Sequence, residues 1–152
     1  MYIILDSFPA SSTSKRENSS PTESDRCRRW IDECELAGHN VMVPAVVYYE
    51  VLRELELRQA HSQIARFKKF SLHPARFIAL LSVHLETAAQ LWAQSRRAGK
   101  PTSDPKELDV DVILAAQALN LNLATSDFII ATTNPGHLSR FVPAELWSKI
   151  VP

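Results

Sequence analysis

Residues 109–119 read D-V-D-V-I-L-A-A-Q-A-L, and almost every position after Asp109 is apolar or small. A helix that is apolar on nearly all sides is a buried helix, so this stretch predicts a helix inside the core. Burying the Asp111 carboxylate there costs free energy unless a hydrogen bond or a positive charge meets it. Asp109 or Asp111 can simply cap the helix, and the cap is assigned to Asp109. Two starting positions of the helix are compatible with the sequence: one near residue 105, after a cap at Asp104, and one near residue 109.

The composition is that of an ordinary globular protein and excludes several functional classes. The chain has 152 residues, 45% hydrophobic and 22% charged, which is the length and balance of one domain. With 17 basic and 17 acidic residues the net charge is zero, so any contact with nucleic acid must come from a local patch. No apolar run approaches a membrane span and the first residues lack the order of a signal peptide. We therefore expect a cytoplasmic protein with no membrane contact and with Cys27 and Cys34 reduced.

Short apolar runs alternate with amphipathic stretches along the chain. Strands are predicted at residues 1–5, 41–43, 77–81 and 128–132, with a last short strand or coil before Trp147. Helices are predicted from a cap at Ser20 to Gly38, after Pro44, through Ile64 and Phe67, and from a cap at Ser82 to Gly99 and Pro101, the last with an apolar stripe of Leu85, Ala88, Ala89 and Trp92. The Ser-rich residues 10–24 are predicted to form an exposed loop. This alternation predicts one α/β domain over residues 1–152, with helices on both faces of a parallel sheet.

Four polar side chains are predicted to meet at one edge of that sheet. Asp6 and Asn134 follow two of the strands, and Glu50 lies roughly 9 Å along a helix from the end of another. Asp111 lies near the start of its buried helix. Ligands of parallel sheets bind outside the carboxyl ends of the strands, where all four residues arrive. Carboxylate and amide oxygens suit Mg²⁺ or Mn²⁺, and a site of this kind without His or Cys ligands points to phosphodiester chemistry with water as the nucleophile.

Each of these residues also has an ordinary structural explanation. Asp6 with Ser7 is compatible with a turn, and Asn134 is a common residue before a proline. Glu50 is three residues from Arg53 and can form a surface ion pair with it. The expected convergence of all four is what favours the metal site.

Four segments that span nearly the whole chain carry these residues: Y-I-I-L-D-S at 2–7, V-P-A-V-V-Y-Y-E-V-L-R-E-L at 43–55, D-V-I-L-A-A-Q-A-L at 111–119 and I-A-T-T-N-P-G-H-L-S-R-F at 130–141. Together they resemble the PIN-domain family and within it the VapC-type ribonucleases of bacterial toxin–antitoxin pairs. The resemblance implies a three-layer α/β/α PIN-like fold with a short central sheet of four to five strands. It also implies that Asp6, Glu50 and Asp111 are catalytic metal ligands and that Asn134 completes the metal shell.

The activity implied by this resemblance is that of a divalent-metal-dependent endoribonuclease, with RNA as substrate, an antitoxin as protein partner and a homodimer as assembly. The chain departs from the family pattern at Phe8, where the motif has Asn, and at Asn134, which is neutral. Asp127 is a second candidate for the fourth position, because the residues around it imitate the same motif. Asn134 is preferred because it follows an apolar strand, whereas Asp127 precedes one.

Two further functions are compatible with parts of the sequence. The departures favour, as an alternative, a catalytically weak PIN-like scaffold that binds RNA or a partner protein. A receiver-like domain that accepts phosphate on Asp6 is disfavoured, because the acceptor of such domains normally follows a later strand. The five histidines lack zinc-site spacing, and three glycines make no phosphate loop. Basic clusters at 66–69 and 96–100 are interpreted as solvated helix faces, and His137 as a turn residue.

Overall fold

A computed structural model of the chain describes residues 1–99 and 105–152, with the backbone alone for residues 105–109. In chain order the elements are β1 (Tyr2–Leu5), α1 (Ser7–Ser12), α2 (Glu23–Leu36), β2 (Asn40–Pro44), α3 (Ala45–Leu57), α4 (His61–Ser71), β3 (Phe77–Ile78), α5 (Ser82–Arg97), α6 (Pro105–Leu119), β4 (Phe128–Thr132), α7 (Pro135–Leu138) and β5 (Ala144–Leu146). A short 3-10 helix, Trp147–Lys149, follows β5. In the described part of the chain, no helix is both long and apolar enough to cross a membrane.

The strands form one sheet in the order β3-β2-β1-β4-β5, and every neighbouring pair is parallel. Ile3, Ile4 and Leu5 of the central strand are all completely buried. Since successive strand residues point to opposite faces, the sheet is covered on both sides. This confirms the predicted α/β fold with helices flanking a short parallel sheet. The chain leaves β1 in one direction to β2 and returns on the other side to β4, which makes the carboxyl ends of β1 and β4 the usual position for a ligand.

The helix predicted from residues 109–119 is indeed a core helix. Val112, Leu114, Ala115, Ala116 and Ala118 of α6 are buried, the last four completely. The helix begins at Pro105, so Asp109 lies inside it and the prediction that Asp109 is a cap is wrong. The predicted cap at Asp104 lies outside the described residues.

The start of α3 is capped by a side chain from another helix. Pro44, at the N-cap position of α3, makes no side-chain cap hydrogen bond. Instead Oε1 of the buried Gln117 on α6 accepts a hydrogen bond from Val46 N at 3.1 Å. Nε2 of Gln117 donates to Ile78 O at 2.8 Å and to Ala79 O at 3.3 Å. One buried amide therefore fixes α3 and the end of β3 relative to α6.

The prediction of an exposed loop at residues 10–24 is wrong for its first part. Residues Ser7–Ser12 form α1, and both Ser12 and Ser14 are buried. The hydroxyls of Ser11, Ser12, Thr13 and Ser14 each donate to the backbone carbonyl three residues earlier. Because these bonds satisfy the polar groups internally, a Ser-rich segment can pack into the core. Within residues 10–24, the continuously exposed part is limited to residues 16–23.

The helix after this segment starts two residues later than predicted. Thr22, and not Ser20, is its N-cap, with reciprocal hydrogen bonds between Thr22 and Asp25. The proline after Ser20 therefore precedes the cap and does not open the helix. Cys27 and Cys34 lie on the buried face of α2 as free thiols, and burial raises the pKa of Cys27 to about 12 and that of Cys34 to about 11.

Two predicted elements differ in extent. β3 ends at Ile78 rather than Leu81, because the Ile78 and Ala79 carbonyls accept hydrogen bonds from Gln117 on α6. The N-cap of α5 is Leu81 instead of Ser82, and His84 Nδ1 accepts a hydrogen bond from Leu81 N. The predicted apolar stripe of α5 is only partly buried: Ala88 lies in the core, whereas Leu85 and Trp92 remain 48% and 38% exposed.

Candidate metal centre

The four predicted site residues line one cleft at the carboxyl edge of the sheet, which we call the acidic cleft. Asp6 follows β1, Glu50 is on α3, Asp111 is on α6 and Asn134 follows β4. The cleft has a volume of about 470 Å³, and its other lining residues are Ser7, Arg53, Val110 and His137. Four separate elements thus bring three carboxylates and an amide together.

Asp6 is held by hydrogen bonds from both sides. Its Oδ1 accepts from Ser7 N at 2.7 Å, and its Oδ2 accepts from the buried Thr132 Oγ1 at 2.6 Å. Burial raises the pKa of Asp6 above its ordinary value, against the two hydrogen bonds, and the negative charge of Glu50 raises it further. Asp6 is therefore a carboxyl group held in one position by two hydrogen bonds, and a nearby positive charge would favour its ionised form.

Glu50 is contacted on each of its carboxylate oxygens. Ser7 Oγ donates a short hydrogen bond to Oε2, which joins the start of α1 to α3. Arg53 Nη2 lies 3.7 Å from Oε1, and Arg53 Nε lies 3.8 Å from Glu54 Oε1. Glu50 thus forms the surface ion pair with Arg53 and also lines the acidic cleft.

Asp111 lies six residues into α6, which is roughly 9 Å from the first residue at 1.5 Å per residue. Of the two predicted helix starts the structure has the one near residue 105, and the side chain of Asp111 lines the acidic cleft. Its Oδ2 is 3.5 Å from Nδ1 of His137 on α7. His137, interpreted from the sequence as a turn residue, is thus also a lining residue of the cleft.

Asn134 and Asp127 lie at opposite ends of β4. Asn134 is the N-cap of α7, and its Oδ1 accepts a hydrogen bond from Gly136 N at 3.4 Å. Asp127 precedes β4 at the amino edge of the sheet, where its carbonyl accepts a hydrogen bond from Tyr2 N. The five residues of β4 lie between them, and a strand of that length spans about 17 Å. Only Asn134 lines the acidic cleft, so the geometry favours it over Asp127 for the fourth position.

The acidic cleft offers donor atoms of the type that a hard divalent cation binds. Among the residues that the structure describes, no three Asp, Glu, His or Cys side chains already stand in a metal-binding arrangement. The carboxylates of Glu50 and Asp111 lie against Arg53 and His137 instead. Three carboxylates in one cleft repel each other, however, and oxygen ligands of this kind are those that Mg²⁺ and Mn²⁺ prefer.

Sequence reasoning missed two residues that support the site, Thr132 and Gln117. Thr132 holds Asp6 directly, and Gln117 holds the helix that carries Glu50. Gln117 is a polar residue inside an apolar stretch, and Thr132 is the polar residue at the end of another. Since buried polar groups are almost always hydrogen-bonded, such an exception in an apolar run is the signal that indicates a buried contact.

One protein-family model matches most of the chain. The model described as PIN domain matches residues 19–141. None of the curated proteins has a sequence that matches the chain significantly.

Several solved structures are similar to this chain over nearly its whole length. FitAcB from Neisseria gonorrhoeae has a TM-score of 0.70 at 18% identity, over 97% of this chain and 99% of that chain. VapBC2 from Rickettsia felis, bound to a DNA fragment from their promoter, has a TM-score of 0.69 at 14% identity over the same shares of the two chains. VapBC-1 from nontypeable Haemophilus influenzae has a TM-score of 0.64 at 15% identity, over 98% of this chain and 100% of that chain. These similarities establish the fold.

Proposed function

Because the chain belongs to the PIN-domain family, we propose that it is a divalent-metal-dependent endoribonuclease that hydrolyses phosphodiester bonds of RNA. The observation that supports this most directly is the convergence of Asp6, Glu50 and Asp111 on one cleft from three different elements. VapC-type PIN domains are generally nucleases, which agrees with this chemistry.

In this proposal Asp6, Glu50 and Asp111 hold Mg²⁺ or Mn²⁺, and the side-chain oxygen of Asn134 completes the shell. The chemistry that such an ion supplies is activation of a water molecule and neutralisation of charge on the phosphate. The chain itself orients the ligands: Thr132 and Ser7 fix the carboxyl of Asp6 by hydrogen bonds. A neutral Asn134 leaves the site one negative charge weaker than a fourth carboxylate would.

The proposal is tested by an RNA cleavage assay with Mg²⁺ or Mn²⁺, with EDTA, and with the variant Asp111→Asn. We expect EDTA to abolish cleavage and Asp111→Asn to lower it by about a hundredfold or more, because even residues behind the ligands alter metal affinity by about 10–100-fold. Asp127→Asn is the matched control, since it removes the same charge at the opposite edge of the sheet. Cleavage that survives both EDTA and Asp111→Asn would refute the metal mechanism.

A second candidate function is a PIN-like scaffold that binds RNA or a partner protein with little cleavage. The observation that favours it is the exposed, neutral Asn134, whose oxygen already accepts a hydrogen bond from Gly136 N. Calorimetric binding of Mn²⁺ without cleavage of any RNA tested would support this function over the first. Binding that accompanies cleavage would support the nuclease.

We also propose that the protein acts in the cytoplasm as the toxin of a toxin–antitoxin pair, as a homodimer with an antitoxin as partner. The fold shared with VapBC2 and VapBC-1 supports this assignment. Light scattering of the purified chain measures its mass directly: twice the 17.1 kDa of one chain is expected, and a monomer at all concentrations would contradict the dimer.

A further inference from the structure

A second cleft opens beside the acidic cleft, between α1 and α3. Its volume is about 560 Å³, and it shares Ser7, Glu50 and Arg53 with the acidic cleft. Its other walls include Phe8 from α1 and Arg58 from the end of α3. A ligand that extends from the acidic cleft along α3 therefore enters this second cleft, which we call the flanking cleft.

We infer that the flanking cleft binds the single-stranded RNA next to the phosphate that is cleaved, with Phe8 stacked on a base and Arg58 bound to a backbone phosphate. The inference rests on the proposed nuclease function and adds the direction in which the RNA leaves the acidic cleft. Arg53 lies at the boundary of the two clefts, where the phosphate that they share would pass.

Arg58 has the chemistry and the position for a phosphate contact. Its Nε donates to the Glu54 carbonyl at 3.3 Å, which uses one of the five N–H donors of a guanidinium. Arginine binds phosphate through its remaining donors in a fixed planar geometry. Arg58 is eight residues beyond Glu50 on the same side of the cleft, roughly 12 Å along the axis of α3. Since successive bases of a stacked strand rise about 3.4 Å, more than one nucleotide fits between them.

Phe8 supplies the apolar part of the flanking cleft. Its ring packs against the edge of the core and is only partly buried, so one side of it lines the cleft. Sites for single-stranded nucleic acid combine an aromatic surface for a base with cations along the backbone. The flanking cleft places Phe8 on one wall and Arg53, Glu54 and Arg58 on the other. Arg53 lies against the carboxylates of Glu50 and Glu54, whereas Arg58 makes no ion pair within the described part of the chain. An arginine without a carboxylate partner, beside an aromatic ring and continuous with the acidic cleft, fits a phosphate and a base of one RNA strand.

The inference is tested by binding of a short fluorescein-labelled oligoadenylate to the full chain, followed by fluorescence anisotropy over a range of salt concentrations. Asp111→Asn is the background for all measurements, so that the strand stays intact. Arg58→Ala and Phe8→Leu are the test variants. Arg97→Ala is a matched control, because Arg97 Nε makes the same contact to the carbonyl four residues earlier, at 3.3 Å, and lines neither cleft.

We expect Arg58→Ala to reduce the slope of log K against log salt by about 0.7, the value for one phosphate contact on a single strand. Phe8→Leu is expected to weaken binding by roughly fivefold or more, as for the loss of one base stack, with the salt slope unchanged. Arg97→Ala should change neither quantity.

Unchanged affinity and slope in both test variants, or no binding of the oligoadenylate by the parent at low salt, would overturn the inference. Arg58 is exposed, so its variant is expected to fold, and it remains informative if Phe8→Leu lowers stability. A failure of the nuclease proposal is a separate result: it is an RNA that stays uncut by the wild-type chain with Mg²⁺ or Mn²⁺, and it does not depend on the binding data.

Discussion

Replacement of Gln117 by methionine removes the amide that joins three elements while keeping nearly the same side-chain volume. In the structure this amide accepts from Val46 N and donates to Ile78 O and Ala79 O. Ala79 is exposed, so its carbonyl can bond to water after the substitution. Val46 N and Ile78 O are in buried residues and would each lose a partner.

The expected magnitude follows from these two groups. A buried polar group left without a partner costs about 1–3 kcal/mol, so with two such groups we expect Gln117→Met to lower the free energy of unfolding by about 2–6 kcal/mol. That is a large part of the stability of an ordinary domain, about 5–15 kcal/mol. Urea denaturation monitored by circular dichroism measures the difference. Gln90→Met, at an exposed position of α5, is the control and should change the free energy by less than about 0.5 kcal/mol.

The same substitution has a second effect, on the metal centre. Gln117 caps the start of α3, five residues before Glu50, so its loss loosens the helix that carries a proposed ligand. We expect weaker Mn²⁺ binding by calorimetry at a temperature where the variant is still folded. A loss of stability below about 1 kcal/mol, with unchanged Mn²⁺ affinity, would refute the argument that this amide fixes α3 against α6.

Two further predictions concern the fourth position of the site and the cap of α2. Asn134→Asp should tighten Mn²⁺ binding in calorimetry and Asn134→Ala should weaken it, whereas Asp127→Ala should leave it unchanged; the reverse order would assign the position to Asp127. Thr22→Ala should lower the free energy of unfolding by about 1 kcal/mol and Ser20→Ala by much less. The hydrogen bonds of Thr22 lower the pKa of Asp25 to about 2, so the stabilisation from the ionised Asp25 is complete above pH 3.8 and is lost as the pH falls towards 2. The thermal melting temperature of Thr22→Ala should therefore depend less on pH in this range than that of the parent chain. The same acid dependence in both proteins would contradict this prediction.

The sequence was sufficient to predict the elements that consist mostly of buried apolar residues. These elements are the strands β1, β2 and β4, with their apolar runs, and the helix α6, with its small apolar residues. So many consecutive apolar side chains are buried only in a strand covered on both faces or in a helix inside the core. From those elements the meeting of Asp6, Glu50, Asp111 and Asn134 at one edge follows from the rule for parallel sheets, and the structure places all four in one cleft.

What the sequence did not predict depends on hydrogen bonds between distant residues. The first part of the Ser-rich segment looked exposed by composition, yet it folds into α1 because its hydroxyls bond to backbone carbonyls. β3 stops early because Gln117, 39 residues away from Ile78, takes its carbonyl. The cap of α2 was predicted at Ser20 but is Thr22, because Thr22 and Asp25 form the reciprocal pair of hydrogen bonds. A local pattern cannot decide between such partners.

The contacts that let three carboxylates share a cleft also limit how strongly the cleft can bind a cation. Glu50 lies against Arg53, Asp111 against His137, and Thr132 donates to Asp6. A cation that takes the carboxylates has to compete with Arg53 and His137, so part of its binding free energy is offset by the contacts it weakens. The contacts of Arg53 and His137 are long and partly exposed, so each contributes only modestly to the stability of the chain before a cation binds. The hydrogen bond from Thr132 differs, because it favours the ionised carboxylate and so assists a cation. Arg53 and His137 are therefore the side chains that a cation in this cleft has to displace, whereas Thr132 can keep its hydrogen bond to Asp6.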